Sequence, residues 1–291
     1  MRYEGPIYRP PSEAQSLLIQ ATVGCPHNRC TFCMTYRAAP PFRVRPVADI
    51  QADIQEAGTE HGPRVQTLFL PAGNTIAMPA EELAEVCRFA GHVFPELQRI
   101  TVYGSAPYIC RKTPLELQQL AGAGLSRIHM GLESGDDAVL TRIRKGADSR
   151  LQIEAGRSVR AAGMELSLYV ILGIGGRQGS QAHARETARV LNRINPDFIR
   201  LRTFVPKIDT PLLDEIREGR FEMLGPHAVL RETAALVRAI DVPTWLASDH
   251  YSNYVNLEGR LPQSRDRLLA AIDAALARDE STFRPFFIGT Q

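Results

Sequence analysis

Short apolar runs alternate with amphipathic segments along most of the chain. Runs rich in β-branched and aromatic residues predict strands at 16–22, 65–70, 99–103, 127–132, 165–172, 198–204 and, more weakly, 242–247. Apolar positions at helical spacing predict helices at 47–60, 80–92, 114–121, 136–143, 151–162, 181–194, 226–240 and 263–277. Strands that alternate with helices through short connections are typical of a parallel sheet.

This order of elements predicts an α/β fold, a partial (β/α)6 barrel similar to a TIM barrel, over residues 16–210. A Pro-rich leader precedes it at 1–15, and a C-terminal, mainly helical extension follows at 211–291. An open doubly wound sheet fits the same alternation. In both architectures ligands bind at the carboxyl ends of the strands, so the loops at those ends are the places to look for chemistry.

Composition narrows the class of protein. The chain has 291 residues, of which 44% are hydrophobic and 23% charged, with a formal net charge of +2. These values are ordinary for a globular protein and do not indicate a nucleic-acid partner. We expect no membrane association and no signal peptide, because the apolar runs are too short. Five cysteines, an odd number, fit a reducing compartment, so we expect a cytoplasmic protein.

Three of the five cysteines lie close together after the first predicted strand. Cys25, Cys30 and Cys33 are spaced C-x4-C-x2-C. Clustered thiols in a chain without a secretory signal indicate metal binding rather than a disulfide. Three ligands suit a 4Fe–4S cluster with one open iron, whereas a structural zinc ion requires four. His27 is the alternative fourth ligand for zinc, but it is too close to Cys25 for the usual ligand spacings.

The other strand-end loops are made of small and polar residues. The strand-end segment at 131–140 reads GLESGDDAVL, that at 171–176 reads ILGIGG, and FVP at 204–206 is followed by TPL at 210–212. Together with the cysteine loop, these segments resemble the radical S-adenosylmethionine (radical SAM) family. They are most similar to its branch of methylthiotransferases and oxygen-independent coproporphyrinogen oxidases. The resemblance covers roughly residues 16–211, two-thirds of the chain.

Two positions depart from the family's usual pattern. The first gap between cysteines is one residue longer than the common C-x3-C-x2-C, so the loop must bulge. The second predicted strand ends in Ala72-Gly73-Asn74 rather than a Gly-Gly-Glu-like turn, so the contact with the methionine amino group is only partly kept.

The resemblance implies that Cys25, Cys30 and Cys33 hold the irons and that S-adenosylmethionine (SAM) chelates the open iron. It also implies residues that contact SAM, namely Phe32, Gly73, Asn74, Ser105, Glu133, Lys145 and the backbone at Gly173 and Val205. Plainer roles stay open for several of them. Phe32 fits core packing equally well, and Lys145 fits a solvated helix end. Glu133 is more specific, because a carboxylate at the end of an apolar strand is costly to bury unpaired.

Candidate substrate residues lie in the last part of the chain. His250 and Tyr254 belong to a polar and aromatic cluster after the weak seventh strand and are candidate catalytic residues, although a surface loop is the commoner explanation. Arg200 and Arg202 alternate with apolar residues on the sixth strand and therefore share one face. If that face points inward, the pair would bind an anionic substrate.

We therefore expect an enzyme that cleaves SAM reductively at a 4Fe–4S cluster and abstracts hydrogen from an unidentified substrate. The substrate is expected to be a small molecule, and a flavodoxin or ferredoxin is the expected reducing partner. Two alternatives remain, a non-catalytic iron–sulfur or zinc module and a coproporphyrinogen-oxidase-like enzyme. The latter's extra cysteine is replaced here by Met34 and Thr35, and the chain has no room for a methylthiotransferase's additional domains.

Overall fold

The computed structural model describes residues 1–289 and has a mixed α/β fold. Its main sheet has eight strands and is mostly parallel, and a second sheet has two. The strands, numbered in chain order, are β1 Leu17–Leu18, β2 Thr22–Val23, β3 Arg43–Val44, β4 Thr67–Leu70, β5 Arg99–Gly104, β6 Leu125–Glu133, β7 Glu165–Leu172, β8 Phe198–Thr203, β9 Thr244–Ala247 and β10 Glu258–Leu261.

The helices follow the strands as the sequence pattern predicts. They are α1 Val47–His61, α2 Ala80–Val93, α3 Ala106–Ile109, α4 Pro114–Gly122, α5 Asp137–Arg142, α6 Ser149–Ala161, α7 Gly176–Ile194, α8 Pro211–Arg217, α9 Pro226–Ala239 and α10 Arg265–Leu276. Three-residue 3-10 turns occur at Pro11–Glu13, Thr75–Ala77 and Glu280–Thr282. Local capping explains some boundaries: Thr113 and Glu116 form a capping box that begins α4, and the Asp136 carboxylate accepts from two amides at the start of α5.

The chain divides into two compact units. The first comprises Met1–Asn28, Thr35–Met130 and Ala155–Leu166. Its strands β1, β4, β5 and the first part of β6 pair in parallel in that order. Leu68, Phe69 and Leu70 of β4 have no exposed surface and belong to the core of this unit.

Within the first unit, a buried carboxylate of the leader bonds to residues on the strands. Glu13 has no exposed surface, and its carboxylate accepts hydrogen bonds from Ser16 Oγ at 2.6 Å and His129 Nε2 at 3.1 Å. Arg99 lies 3.1 Å from the same carboxylate. Burial by itself would raise the pKa of Glu13, but these partners outweigh it and lower the pKa to about 2. The Pro-rich leader is therefore packed in place by an ionised group.

The second unit comprises Arg29–Met34, Gly131–Glu154 and the chain from Ser167 onward. In it β7, β8 and β9 pair in parallel, and β10 closes the edge antiparallel to β9. One apolar cluster lies beyond the carboxyl ends of these strands and is formed by Val139, Leu140, Ile143, Ile174, Phe204, Leu212 and Phe221.

Several predicted elements differ from the structure. The expected strand over 16–22 is wrong as a single strand, because β1 pairs with β4 while β2 leaves the main sheet and pairs antiparallel with β3. The sequence pattern missed β3, β10, α3 and α8, which are too short to show a period. The weak strand at 242–247 exists as β9. In the described part of the chain, no helix has the length and apolar content needed to cross a membrane.

Candidate active site

The loop that carries the clustered thiols follows β2. Cys25, Cys30 and Cys33 are half-buried, and none of the three forms a disulfide. Cys25 belongs to the first unit, where the Asn28 amide points at its sulfur at 3.5 Å. Asn28 has a left-handed backbone, with φ of 41°, which allows the chain to turn within the four-residue gap between the first two cysteines. The longer gap is thus taken up by a local turn.

Cys30 and Cys33 belong to the second unit and lie on one turn, in which the Cys33 amide donates to the Cys30 carbonyl at 3.3 Å. The turn is fixed through Thr31. Its amide donates to the Ile143 carbonyl at 2.9 Å, and its carbonyl accepts from the Leu212 amide at 3.0 Å. Two backbone bonds to separate elements hold the thiols of this turn in a defined place.

Phe32, between those cysteines, packs against the apolar cluster of the second unit. It is only partly buried, so one part of the ring stays accessible. Core packing, the plainer of its two expected roles, is thus present. Among residues 1–289, no group of three or more His, Cys, Asp or Glu side chains has the arrangement of a single-ion site. The cysteines of a cluster bind different irons, so their arrangement differs from that of ligands around one ion.

In the first unit, the turn after β4 approaches the cysteine loop closely. The Gly73 amide donates to the Gly24 carbonyl at 3.1 Å. A Cβ on Gly73 would lie 2.6 Å from Cys25 Cβ, a distance that real Cβ atoms do not reach, so only glycine fits. Ala72 has φ of 103°, a left-handed conformation that costs a non-glycine residue on the order of 1–3 kcal/mol. The turn is thus strained where it meets Cys25.

Asn74, the next residue, carries a buried acceptor without a partner. The side chain is 1% exposed, and its Nδ2 donates to Ser105 Oγ at 2.8 Å. Its Oδ1 has no hydrogen-bond partner. Leaving such an oxygen unsatisfied costs about 1–3 kcal/mol. The arrangement suits a ligand that brings a hydrogen-bond donor to Asn74, with Ser105 fixing the amide's orientation.

In the second unit, Glu133 ends β6 and pairs with Lys145. Lys145 Nζ lies 2.8 Å from Glu133 Oε1, and the two side chains are 10% and 11% exposed. Glu133 has φ of 61°, again a left-handed backbone on a non-glycine residue. Gly131 leaves room for the pair, because a Cβ there would collide with Glu133 Oε1 and lie 2.8 Å from Lys145 Nζ. The structure brings together two predicted residues twelve positions apart.

A buried network that sequence analysis missed holds the neighbouring turns. Ser134 Oγ and His183 Nδ1 are 2.8 Å apart, and His183 Nε2 lies 3.7 Å from Glu232 Oε1. Burial lowers the pKa of His183, so its ring is neutral at neutral pH. The Glu232 carboxylate accepts from the Gly173 amide at 2.6 Å and from the Ser180 hydroxyl.

This network has two consequences. His183 of α7 contacts Ser134 in the turn after Glu133, and Glu232 of α9 accepts from the Gly173 amide. The two helices therefore hold both turns in place. The Gly173 amide is engaged by Glu232, and the Gly173 carbonyl accepts from the Gly176 amide at 3.0 Å, so only the second lone pair of that carbonyl is available to a ligand. The sequence signal for this network was one polar residue at a core position of each helix, His183 in α7 and Glu232 in α9. That signal does not show which residues the two side chains contact.

Val205 is buried just beyond β8, and the Phe204 amide before it donates to the Leu172 carbonyl at 2.8 Å. The backbone at Val205 therefore lies next to the end of β7. Arg200 and Arg202 both lie on β8, but their side chains have different surroundings. Arg200 is buried and donates to Ser167 Oγ at 3.2 Å, whereas Arg202 is exposed.

The polar loop after β9 lies against β8. Asn253 Oδ1 accepts from the Thr203 amide at 2.8 Å, and its Nδ2 donates to the Leu201 carbonyl at 2.8 Å. These bonds place His250 beside Arg202, with 2.7 Å between Arg202 Nη2 and His250 Nε2. Tyr254 is half-buried and packs edge-on against Phe283, and burial raises the pKa of its hydroxyl. Both candidate residues are thus at the carboxyl end of β8.

Comparison with known proteins gives one family. The radical SAM superfamily profile matches residues 19–189, more than half of the chain. A curated relative is the tRNA-2-methylthio-N(6)-dimethylallyladenosine synthase of Dehalococcoides mccartyi, which is 22% identical over 278 residues. The match covers 87% of this chain and 65% of the relative, so the chain spans somewhat less than two-thirds of that protein's length.

Solved structures are similar in fold. The methyltransferase TsrM from Kitasatospora setae, solved with cobalamin and a [4Fe-4S] cluster, has a TM-score of 0.56 and 17% identity, covering 70% of this chain and 39% of TsrM. The Escherichia coli coproporphyrinogen III oxidase, described as a radical SAM enzyme, has a TM-score of 0.55 and 16% identity, covering 77% and 52%. The predicted α/β fold class is confirmed.

Proposed function

Because the chain belongs to the radical SAM superfamily, whose members are enzymes that bind a 4Fe–4S cluster and SAM, we propose a specific reaction for it. It cleaves SAM reductively at a cluster held by Cys25, Cys30 and Cys33, and it abstracts hydrogen from a small-molecule substrate. The observation that carries the proposal is the loop after β2, which has three cysteines that form no disulfide.

The residues of this chain fit both groups. Three cysteine ligands would leave one iron of the cluster without a protein ligand, and the unpartnered Asn74 Oδ1 lies in the turn that contacts Cys25. When bound, the groups supply one-electron cleavage of the sulfonium S–C5′ bond, giving methionine and a 5′-deoxyadenosyl radical that takes a hydrogen atom from a substrate C–H bond. A flavodoxin or ferredoxin is the proposed source of the electron.

Asn74 is proposed to contact the ammonium group of the methionine part of SAM. Asn74 Oδ1 is an acceptor, and an ammonium group has only donors, so the two are complementary. Ser105 keeps the amide in the orientation that presents Oδ1, because it occupies Nδ2. Gly73 lets this turn reach the cysteine loop. Asn74 thus takes over the part that a carboxylate plays in the family's usual turn.

Glu133 and Lys145 are also proposed to contact SAM. Glu133 accepts hydrogen bonds from the ribose hydroxyls or the ammonium group, and Lys145 reaches the methionine carboxylate. The ion pair between them keeps both side chains oriented before the ligand arrives. The accessible part of Phe32 is available to the adenine, and the backbone at Gly173 and Val205 borders it. The Ser134–His183–Glu232 network positions these turns without touching the cofactor.

His250 and Tyr254 are the proposed catalytic residues on the substrate side, since both lie at the carboxyl end of β8. Burial and neighbouring cations lower the pKa of His250 to about 4, so a neutral imidazole faces the substrate at neutral pH. We place the protein in the cytoplasm, because none of its five cysteines forms a disulfide. Transfer to tRNA, the activity in the curated relative's name, has no support of its own in the described residues.

Anaerobic reconstitution tests this assignment. The protein should become brown and hold about four irons, the content of a cubane cluster. Cys25→Ala, Cys30→Ala and Cys33→Ala should each lose the colour. Cys87→Ala is the matched control, because Cys87 is buried in α2 and burial raises the pKa of its thiol to about 12. A colourless protein with one zinc, or equal loss of iron in Cys87→Ala, contradicts the proposed ligands.

A further inference from the structure

Three cations surround His250 at the carboxyl end of β8. Arg202 Nη2 lies 2.7 Å from His250 Nε2, and Lys207 and Arg284 act on the same imidazole through their charges. On the other side of the ring, His250 Nδ1 lies 2.8 Å from Ser252 Oγ. The four groups come from β8, the segment after it, the loop after β9 and the last part of the chain, so the folded chain brings them together.

The contact with Arg202 indicates the state of the imidazole. Arginine is always protonated and can only donate, so His250 Nε2 accepts from Arg202. Nδ1 faces the hydroxyl and the amide of Ser252, at 2.8 and 3.2 Å. Burial first and the three cations next lower the pKa of His250 to about 4. The three charges that contribute to this lowering are all positive. The histidine is therefore held neutral within a cationic environment.

Two of the cations have no carboxylate partner among the described residues. Within residues 1–289, neither Arg202 nor Arg284 forms a salt bridge. Arg284 donates to the Ser252 carbonyl, and its guanidinium lies 4.5 Å from the Tyr254 ring centre and 5.0 Å from that of Phe287. A guanidinium held between two rings is rigid and keeps its charge. Grouping such charges costs free energy that an anion would offset.

The cluster lies at the functional end of the second unit. Arg202 pairs with Ile171 in the register of β7 and β8, and Leu172 pairs with Thr203. Gly173, which follows Leu172, is therefore within the same strand-end region. Arg200 is not part of the cluster, because its side chain is buried and bonded to Ser167. The pair expected from the sequence is thus replaced by Arg202 and residues far from it along the chain.

We propose that Arg202, Arg284 and Lys207, whose backbone pairs with Gly289 in the last part of the chain, form with His250 the subsite that binds an anionic group of the substrate, a carboxylate or a phosphate. The aromatic rings of Tyr254 and Phe287 hold Arg284 in place for this contact. That the anion belongs to the substrate rests on the proposed function; that the site binds an anion does not.

Nuclear magnetic resonance on the full chain at pH 7 tests the subsite without cluster or SAM. Inorganic phosphate and acetate are the probes, and the His250 ring signals, assigned by their loss in His250→Asn, are the readout. We expect phosphate, acetate or both to move these signals saturably, and the tighter probe identifies the chemistry. Arg202→Gln and Arg284→Gln should each weaken binding about tenfold or more. Arg260→Gln, an exposed arginine of β10, should bind as the wild type does.

Absence of saturation by either probe in the wild type overturns the subsite, and so does unchanged binding in both variants. The wild-type titration alone is decisive if a variant fails to fold. Because no SAM is present, a negative result leaves the radical reaction standing. Anion binding by a protein that cannot cleave SAM would instead keep the subsite and remove the proposed reaction.

Discussion

Lys145 Nζ lies 2.8 Å from Glu133 Oε1 in a pair that is about nine-tenths buried on each side. Glu133 adopts a left-handed backbone at the end of β6, and Gly131 leaves the space that the pair fills. Strain of this kind persists only where surrounding structure fixes it, and it is frequent at ligand sites. The pair is thus a preorganised group of two opposite charges at a strand end.

Glu133→Gln should keep the cluster and weaken SAM binding. The substitution preserves shape but removes a charge-assisted hydrogen bond, worth about 1.5–3 kcal/mol. That is on the order of ten- to a hundredfold in dissociation constant. Calorimetry with the oxidised cluster form measures it. Glu222→Gln, which breaks an exposed pair with Arg177, is the matched control and should bind normally. Equal affinities for Glu133→Gln and wild type would assign Glu133 to the scaffold.

Asn74→Leu should change the affinity for SAM much more than it changes the stability of the protein. Leucine has the same branching and removes the unsatisfied Oδ1, which offsets the lost bond to Ser105 and the crowding by its larger methyl groups, so the melting temperature of the free protein should change by only a few degrees, about 1 kcal/mol or less. SAM affinity should fall at least tenfold, because the acceptor for the ammonium group is gone. Thermal melting and calorimetry give the two values. A large drop in melting temperature with unchanged affinity would show that Asn74 is structural.

Gly73→Ala should prevent cluster assembly. Its Cβ would lie 2.6 Å from Cys25 Cβ and 2.9 Å from the Gly24 carbonyl oxygen, so the cysteine loop must move. The iron content after reconstitution measures the effect. Gly91→Ala is the control, because a Cβ there meets nothing within 4 Å and alanine favours the helix by roughly 1 kcal/mol. Full iron content in Gly73→Ala would mean that the turn and the loop are independent.

The free energy of unfolding should decrease at low pH because of Glu13. Its pKa is lowered to about 2 in the folded protein, so the ionised form stabilises the fold fully above the unfolded pKa, near 4.5. This contribution, on the order of 3 kcal/mol, is lost as pH falls from 4.5 towards 2. Glu13→Gln should therefore be less stable at pH 7, and the difference should shrink below pH 4.5. Denaturant unfolding at several pH values measures it; a constant difference would show that the charge is irrelevant.

Local patterns were sufficient for most of the fold and for part of the site. The periodicity of strands and helices depends on residues that are close in sequence. The glycines and cysteines at strand ends can be identified directly from the sequence. The Glu13–His129 contact joins residues 116 positions apart, and the His183–Glu232 contact joins two helices. Neither has a local signature. The opposite environments of Arg200 and Arg202 arise because Ser167 and His250, supplied by other elements, meet them separately.

Cleavage of SAM by reduced, reconstituted protein is the most direct test of the account. The products of anaerobic incubation with dithionite are separated by chromatography. We predict 5′-deoxyadenosine and methionine in equal amounts, formed slowly without substrate, lost in Cys30→Ala and retained in Cys87→Ala. A protein that holds its irons and binds SAM yet releases only S-adenosylhomocysteine would contradict radical cleavage and indicate polar methyl transfer.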